Sequence, residues 1–250
     1  MNLGLEGRVA IVTGASRGLG RAAVLALAAE GAKVLAVART TAALDEVAAE
    51  APDGAVVAAT CDMRDRAQVA ALADLAVERF GRLDVVVNNA GIAPAGRFVD
   101  LDDDVWQEVF EVNVFAPVTL ARAAGRHFLA QGSGKVINIA STSGILGKPT
   151  LVAYSSSKGA VLQFTKALAG EWAGKGIQVN AIAPGAYATD AQSAVLESDE
   201  ILTRRLRKIP AGRMGDPAEI GPLVCLLASG ASDFVTGSVL VADGGESSKL

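Results

Sequence analysis

Three side chains at fixed spacing carry the chemistry that this sequence shows most directly. Tyr154 and Lys158 lie four residues apart, and Ser141 lies thirteen residues before the tyrosine. If the stretch from Ala153 onward is helical, positions i and i+4 share one face, about 5 to 6 Å apart at Cβ. A cation there lowers a tyrosine pKa from its reference of about 10, toward the range where a general acid or base works. The spacing predicts a proton donor for a carbonyl; the alternative is an exposed tyrosine beside a solvated lysine.

Composition favours one α/β domain spanning residues 1–250. Of the 250 residues, 51% are hydrophobic and 20% are charged, which is ample for a sizeable core. The net charge of −4 argues against a nucleic-acid partner. Residues 1–8 lack the pattern of a leader, and the apolar run after Arg21 is interrupted before it reaches spanning length. We therefore expect a soluble cytoplasmic protein that does not enter a membrane.

The cysteines and the histidine give no sign of a metal site. Cys61 and Cys225 are the only cysteines, and neither belongs to a C-x-x-C or Cys/His cluster. Reduced buried thiols are favoured over a disulfide in a cytosolic protein. The single histidine, His127, lies in a helical stretch away from any nucleophile-elbow pattern. We interpret His127 as structural, so a Ser-His-Asp hydrolase is not expected.

Short β-branched runs alternate with Ala- and Leu-rich helical stretches along the chain. This alternation predicts a parallel sheet with helices on both faces and right-handed crossovers, a doubly wound Rossmann-like fold. Such strands are buried on both faces and read as continuous apolar runs. Seven strands are predicted, at residues 9–12, 33–37, 56–58, 85–87, 136–139, 177–182 and 239–241. The segment 185–210 is polar and irregular in pattern, and we expect it to cover a substrate site as a lid.

A glycine-rich turn follows the first predicted strand directly. Glycines at 14, 18 and 20 precede the predicted helix from Arg21 to Glu30. They let the backbone turn tightly and approach a pyrophosphate, which then lies at a helix N-terminus. The spacing G-x-x-x-G-x-G departs from the G-x-G-x-x-G fingerprint. The alternative is a glycine-rich turn that binds no ligand.

Six motifs, in order over essentially the whole chain, match one enzyme family. The chain resembles the classical short-chain dehydrogenases/reductases, and the matching motifs can be set out in sequence order. They are Thr13-Gly14 through Gly20, Asn88-Asn89-Ala90-Gly91, Asn113, the set Ser141 with Tyr154 and Lys158, Pro184-Gly185, and Asp243-Gly244-Gly245.

The resemblance implies roles for four catalytic residues. Tyr154 would donate a proton to the carbonyl oxygen in reduction and remove it from the alcohol in oxidation. Lys158 would stabilise tyrosinate and hold the nicotinamide ribose, and Ser141 would hydrogen-bond the substrate oxygen. Asn113 would support a water-mediated proton path to the lysine, although a helix-bending or capping asparagine is the alternative. Ser143 is a rival of Ser141 for the substrate oxygen.

Cofactor choice depends on the end of the second predicted strand, where an acidic residue would bind the ribose 2′-hydroxyl of NAD. Here Ala38 and Arg39 follow Val37, and an arginine pairs well with a 2′-phosphate. With Arg17 as a second cation, NADP(H) is preferred. The alternative is that both arginines are ordinary surface residues and NAD(H) is accepted as well. Asp62 resembles the family's adenine-contacting acid, and it equally suits a helix cap before Arg66.

Seventeen residues are expected to bind the cofactor. They are Gly14, Ser16, Arg17, Gly18, Leu19, Gly20, Arg39, Asp62, Met63, Asn89, Ala90, Gly91, Tyr154, Lys158, Pro184, Gly185 and Thr189.

The substrate side of the predicted site is mostly small or apolar. Its expected contacts are Ser141, Ser143, Tyr154 and Tyr187. Lys148 is the exception. A solvated loop lysine is the favoured interpretation, and the alternative is that Lys148 binds an anionic substrate such as a sugar acid or an acyl-carrier phosphopantetheine. A basic run at 204–208 lies beside the lid; a solvated helix face is the default interpretation, and attraction of a carrier protein or a phosphorylated substrate is the alternative.

The resulting function hypothesis is hydride transfer between a nicotinamide and a secondary alcohol or ketone. 3-Oxoacyl thioesters, sugar acids and other small ketones remain open as substrates. Two alternatives are a non-catalytic cofactor-binding regulatory protein and an epimerase or dehydratase that uses the same tyrosine and lysine. Members of the family are commonly dimers or tetramers. The helices predicted at 105–122 and 153–172 carry enough Ala, Val, Leu and Phe to bury a second face, so we expect a homotetramer.

Overall fold

The computed structural model describes residues 3–248, which contain one seven-stranded sheet. All adjacent strands pair in parallel. Each predicted strand lies inside an observed strand, so the predicted doubly wound sheet is confirmed. The strands are β1 (Val9–Thr13), β2 (Lys33–Ala38), β3 (Val56–Thr60), β4 (Val85–Asn88), β5 (Gly134–Ile139), β6 (Ile177–Pro184) and β7 (Val239–Ala242).

The central strands are apolar throughout because each one contributes to two cores. In β1, Ala10 and Val12 pack into the core on one face of the sheet. Val9 and Ile11 pack into the core on the other face. Burial of one such aliphatic side chain contributes about 1.5 to 3 kcal/mol, so covering both faces stabilises the central strands and explains the missing polar alternation.

The helices cover both faces of this sheet. No helix among residues 3–248 has the length and hydrophobicity needed to cross a membrane. The helices are α1 (Gly18–Ala29), α2 (Ala42–Glu50), α3 (Arg66–Phe80), α4 (Asp103–Phe110), α5 (Ala116–Gln131), α6 (Ser143–Leu146), α7 (Val152–Trp172), α8 (Ser193–Leu196), α9 (Asp199–Leu206) and α10 (Ile220–Ala228).

The helical stretch predicted at 105–122 differs from the observed one. Helix α4 ends at Phe110, and a π-helical turn, Glu111–Phe115, connects it to α5. A π turn inserts one extra residue and redirects the side chains that follow it; such turns often occur at functional sites. Asn113 lies in the middle of this turn and is buried.

The segment expected to be irregular, 185–210, is largely helical. It contains the 3₁₀ turn Asp190–Gln192 and the helices α8 and α9. Ser198 caps α9 by accepting a hydrogen bond from the Ile201 amide. The segment has its own apolar cluster, formed by buried Ala186, Ile209 and Met214 with Val195, Leu202 and Leu206 packed against them. That local packing explains how a polar sequence forms ordered helices here.

The strand order places a crevice at one edge of the sheet. The order is β3-β2-β1-β4-β5-β6-β7, so the winding direction reverses between β1 and β4. In doubly wound sheets, ligands bind outside the carboxyl ends of the strands at this switch point. The glycine turn after β1 and the Asn89–Gly91 segment after β4 meet there.

Candidate active site

A cavity of about 770 Å³ lies along the carboxyl ends of the strands. Sixteen of the residues predicted to bind cofactor form its wall. They are Gly14, Ser16, Arg17, Gly18, Leu19, Arg39, Asp62, Met63, Asn89, Ala90, Gly91, Tyr154, Lys158, Pro184, Gly185 and Thr189.

The glycine turn provides uncapped amides at the start of α1. Gly14 and Gly18 have φ values of 65° and 54°, a region that side chains other than glycine rarely adopt. Helix α1 begins at Gly18, earlier than predicted; Arg17 precedes it in extended conformation, and no side chain caps the helix. The first amides of α1 therefore remain available for a diphosphate. This donor set fits a dinucleotide.

Gly20 has a different role from the one predicted. It does not line the cavity and is buried beneath the turn. A Cβ at this position would lie 2.1 Å from the Gly14 carbonyl oxygen and 2.4 Å from Asn89 Nδ2. The absence of a side chain lets α1 pack closely against the turn, so Gly20 shapes the site without contacting a ligand.

A set of hydrogen bonds, not predicted from the sequence, joins the ends of β1 and β4. Thr13 Oγ1 accepts hydrogen bonds from the amides of Asn89 and Ala90, each at 3.1 Å. Asn89 Nδ2 donates to the carbonyls of Thr13 and Gly14 at 2.9 and 3.1 Å. Thr13 is the residue after an apolar run, a position where strand-end hydroxyls often satisfy loop amides. These contacts fix the floor of the cavity.

Two arginines and an ion pair form the end of the cavity near β2 and β3. Arg17 and Arg39 are exposed on its rim. Asp62 binds the guanidinium of Arg64 at 2.6 Å. The hydrogen bonds from Arg64 lower the pKa of Asp62 to about 2.

Asp62 is not the cap of the following helix, as one of the two predictions for it had suggested. Asp65 caps α3 by accepting hydrogen bonds from the amides of Ala67 and Gln68. Asp62 instead faces the cavity, which leaves the adenine-side interpretation in place as a prediction.

Tyr154 and Ser141 face each other across the inner part of the cavity. Tyr154 lies in the first turn of α7, and Ser141 follows β5. Burial raises the pKa of Tyr154, and a hydrogen bond with the Ser141 side chain opposes that change. The Ser143 amide donates to Ser141 Oγ at 3.0 Å, which orients the Ser141 hydroxyl. Ser143 also lines the cavity, so its predicted contact with the substrate oxygen stays a prediction.

Lys158 is almost fully buried, and its burial lowers its pKa to about 8. Its ammonium donates to the Ile139 carbonyl at 2.7 Å and lies 5.8 Å from the centre of the Tyr154 ring. The spacing predicted that the lysine would lower the pKa of Tyr154. In the structure, desolvation of the phenolate is the largest effect on that pKa, which is raised.

Asn113 does not line the cavity; it clamps the loop that does. Its Oδ1 accepts from the Ile92 amide at 2.9 Å, and its Nδ2 donates to the Ile92 carbonyl at 2.9 Å. Nδ2 also donates to Ser157 Oγ at 3.0 Å. A Cβ on Gly91 would lie 3.2 Å from Asn113 Oδ1 and 3.5 Å from Lys158 Nζ. The asparagine thus connects the loop after β4 to helix α7.

The lid approaches the cofactor turn. The Thr189 methyl group would lie 3.3 Å from a Cβ placed on Gly18. Tyr187 is mostly buried, lines the cavity and packs its ring against Gly215. Burial raises the pKa of Tyr187. Its ring therefore forms a wall of the cavity, while its predicted contact with substrate stays a prediction.

The basic residues near the lid divide into two groups. Lys148, Arg205 and Lys208 line the cavity, whereas Arg204 and Arg207 do not. Glu246 also lines it and pairs with Arg205 through both guanidinium nitrogens, one bond being 2.6 Å. The sequence indicated a basic run but not which members face the site, and it did not indicate Glu246.

Comparisons with known proteins cover nearly the whole chain. A family model described as enoyl-(acyl carrier protein) reductase matches residues 14–247. Galactitol 2-dehydrogenase (L-tagatose-forming) of Cereibacter sphaeroides is 42% identical over 246 residues, covering 96% of this chain and 95% of that protein. The 2-dehydro-3-deoxy-D-gluconate 5-dehydrogenase of Bacillus subtilis is 40% identical, with 96% and 95% covered.

A solved structure shows the same architecture. Gluconate 5-dehydrogenase from Burkholderia cenocepacia, in complex with NADP and tartrate, superposes with a TM-score of 0.92. It is 36% identical, and the match covers 98% of this chain and 97% of that one. The chain belongs to the short-chain dehydrogenase/reductase family and is an NAD(P)-dependent oxidoreductase that transfers a hydride between the nicotinamide and a secondary alcohol or ketone.

Proposed function

We propose that this enzyme prefers NADP(H) and uses Tyr154 as the proton donor to a small carbonyl substrate. The observation that carries the proposal is one continuous cavity with two distinct ends. The uncapped start of α1 and two arginines lie at one end, and Tyr154 with Ser141 lies at the other. Two relatives are named for activity on galactitol and on 2-dehydro-3-deoxy-D-gluconate, and this supports a carbohydrate alcohol or ketone as the substrate.

In this proposal, some side chains position the substrate and the cofactor, and Tyr154 transfers the proton. The bound nicotinamide supplies or accepts the hydride. Ser141 holds the substrate oxygen next to Tyr154, and Tyr154 delivers a proton to that oxygen during reduction. The Lys158 pKa of about 8 keeps this residue mainly protonated at pH 7. One of its N–H groups is used by Ile139, so two donors remain for the cofactor ribose.

Turnover tests this function directly. The purified enzyme is mixed with NADPH and a panel of keto sugar acids, keto sugars, simple ketones and 3-oxoacyl thioesters, and the reduced-nicotinamide absorbance is followed. We expect oxidation of NADPH with at least one carbohydrate ketone. Binding of NADPH with no oxidation by any carbonyl in the panel would contradict the proposal.

Cofactor preference has its own test in Arg39. Arg39 lines the cavity at the end of β2, where no carboxylate follows to repel a 2′-phosphate. We expect Arg39→Ala to weaken NADPH binding about tenfold, as for loss of one charge-assisted contact, and to leave NADH binding unchanged. Arg21→Ala is the matched control, because Arg21 pairs with Glu50 and does not line the cavity. Equal losses for both cofactors would refute a 2′-phosphate contact.

Assembly and location complete the proposal. We propose a homotetramer, as the family resemblance implies. We also propose a cytoplasmic enzyme, which agrees with the two free, buried cysteines Cys61 and Cys225.

A further inference from the structure

Three cationic side chains surround the substrate end of the cavity. Lys148 follows α6, Arg205 lies in the last turn of α9, and Lys208 lies just beyond that helix. All three line the same cavity as Ser141 and Tyr154; Arg205 is half-buried there, and the two lysines are exposed at the rim. Separate segments of the chain therefore bring positive charge to the place where the substrate must lie.

Only one of these three charges is balanced by an ion pair. Glu246 engages Arg205, with side chains only 16% and 20% exposed. Among residues 3–248, neither Lys148 nor Lys208 forms an ion pair with a carboxylate. Burial lowers the pKa of Lys148, the charges of Arg205 and Lys208 lower it further, and Glu246 opposes them. The cluster thus has excess positive charge that an anion in the cavity would neutralise.

The position of Lys148 is tied to the catalytic helix. Its amide donates to Ser155 Oγ at 3.1 Å, and Ser155 is the residue after Tyr154. The Leu151 amide in turn donates to the Lys148 carbonyl at 3.1 Å. These bonds hold the lysine backbone at a fixed place relative to the tyrosine.

We propose that Lys148, supported by Lys208 and the Arg205–Glu246 pair, binds a carboxylate of the substrate and makes the enzyme selective for small hydroxy or keto acids over neutral polyols and ketones. This inference rests on the proposed function and names the substrate class of the same site. A carboxylate suits the place because it accepts hydrogen bonds from ammonium and guanidinium donors within a confined cavity.

A carrier-linked thioester fits the arrangement less well. Arg204 and Arg207 are exposed and do not line the cavity, so they suit the outer surface that a carrier protein would contact, but they do not account for the two lysines that line the cavity. The unbalanced lysines share the cavity with the catalytic hydroxyls. We therefore assign the subsite to a small acid whose charge lies within the cavity.

Binding to the NADPH-saturated protein tests this assignment without requiring turnover. The probes are D-gluconate and D-glucitol, which differ in a carboxylate against a hydroxymethyl group, measured by isothermal titration calorimetry. We expect gluconate to bind at least about tenfold more tightly than glucitol, since one charge-assisted contact separates them. Lys148→Gln should remove most of that difference and leave glucitol and NADPH binding unchanged. Lys175→Gln, an exposed lysine outside the cavity, is the control and should bind as the wild type does.

The outcomes separate this inference from the proposed function. Equal affinity for the acid and the polyol in the wild type would overturn the inference, and so would an unchanged preference in Lys148→Gln. Tighter, Lys148-dependent binding of 4′-phosphopantetheine than of gluconate would overturn it in favour of a carrier-linked substrate. Acid-selective, Lys148-dependent binding supports the inference even where NADPH oxidation fails, and that failure would count against the proposed function alone.

Discussion

At the scale of single residues, burial works against the two groups that carry the charge. It raises the pKa of Tyr154 and lowers that of Lys158, so burial shifts each group toward its neutral form, although Lys158 stays mainly protonated at pH 7. A neutral phenol is the form that donates a proton in reduction. Oxidation requires the phenolate form of Tyr154, and the charged ammonium of Lys158 nearby stabilises that form. The direction of the reaction and the pH are therefore coupled at this pair.

The first prediction concerns the phenol itself. Tyr154→Phe removes the only proposed proton donor while keeping the ring, and we expect kcat to fall about 10²- to 10⁴-fold, as for general acid catalysis. The dissociation constant of NADPH, measured by fluorescence titration, should change little. Ser156→Ala is the control, because Ser156 is exposed on the same helix and does not line the cavity. Wild-type turnover by Tyr154→Phe would refute the mechanism.

The second prediction concerns Lys158 and stability in the cofactor-free protein. Because its pKa falls from 10.5 to about 8 on folding, the unfolded chain binds more protons between these values. The free energy of unfolding should therefore rise with pH from about 8, and the full effect over the window is about 3 kcal/mol. Below pH 8 the penalty of burying the charged group is fully present.

A variant isolates that contribution from other titrations. Cys61 has a pKa raised to about 11, which lowers stability as pH rises above 9, and the raised pKa of Tyr154 acts in the same direction above 10. The difference between wild type and Lys158→Met cancels these effects. Urea unfolding at pH 8 to 9 should show the wild type gaining relative to the variant, with a limiting slope of about 1.4 kcal/mol per pH unit. A difference that is constant with pH would contradict this account.

The sequence predicted many of the residues that line the cavity, whereas it did not predict the contacts between them. The positions of Ser141, Tyr154 and Lys158 follow from spacing along the chain and one helix. The hydrogen bonds of Lys158 to Ile139 and of Thr13 to Asn89 join segments far apart in sequence. Periodicity contains no information about such pairs, because they depend on how strand ends align across the sheet.

At the scale of secondary-structure elements, the π turn at Glu111–Phe115 is the feature that could not be predicted from the sequence. Apolar periodicity predicted one helix through 105–122, and the residues on both sides are helical. A single inserted residue alters the face of the helix without changing its composition. The turn places Asn113 where its side chain satisfies both the amide and the carbonyl of Ile92. The irregular conformation predicted for 185–210 was wrong, because a local apolar cluster orders helices that a polar sequence does not predict.

The third prediction separates positioning from stability at Asn113. Asn113→Ala leaves the Ile92 amide and carbonyl without partners, and we expect a loss of about 1 to 3 kcal/mol for each unsatisfied group. Because the same loop lines the cavity beside Lys158, kcat should also fall, by at least about tenfold. Urea unfolding and initial rates at a temperature where the variant is folded measure the two effects.

Asn180 provides a matched control for that variant. Its side chain also clamps a loop, donating to the Val235 carbonyl at 2.7 Å and accepting from the Ser238 amide at 3.0 Å. Asn180 lies outside the cavity wall, so Asn180→Ala should lose similar stability while keeping kcat. If Asn113→Ala also keeps kcat, the asparagine is only structural.

At the scale of the whole molecule, the fold was the most predictable property. Seven apolar strands alternating with helices leave few arrangements once crossovers are right-handed, and the observed strand order agrees. The sequence does not indicate which surfaces another subunit would cover, because burial within one chain and burial between chains use the same residue types. Helix α7 illustrates this: its inner face packs on the sheet, while Gln163, Ala167 and Gly170 are exposed.

The final prediction tests whether that outer face of α7 joins subunits. Small side chains on this face allow a helix of another subunit to approach closely. A homotetramer, which the family resemblance implies, would have a mass about four times that of the 25.4 kDa chain. Ala167→Glu places a carboxylate in the seam, and we expect light scattering to show dissociation into smaller species. Ala71→Glu makes the same change on an exposed position of α3 and should leave the mass unchanged. A wild-type mass of one chain would refute the tetramer, and an intact Ala167→Glu tetramer would place the interface on another face.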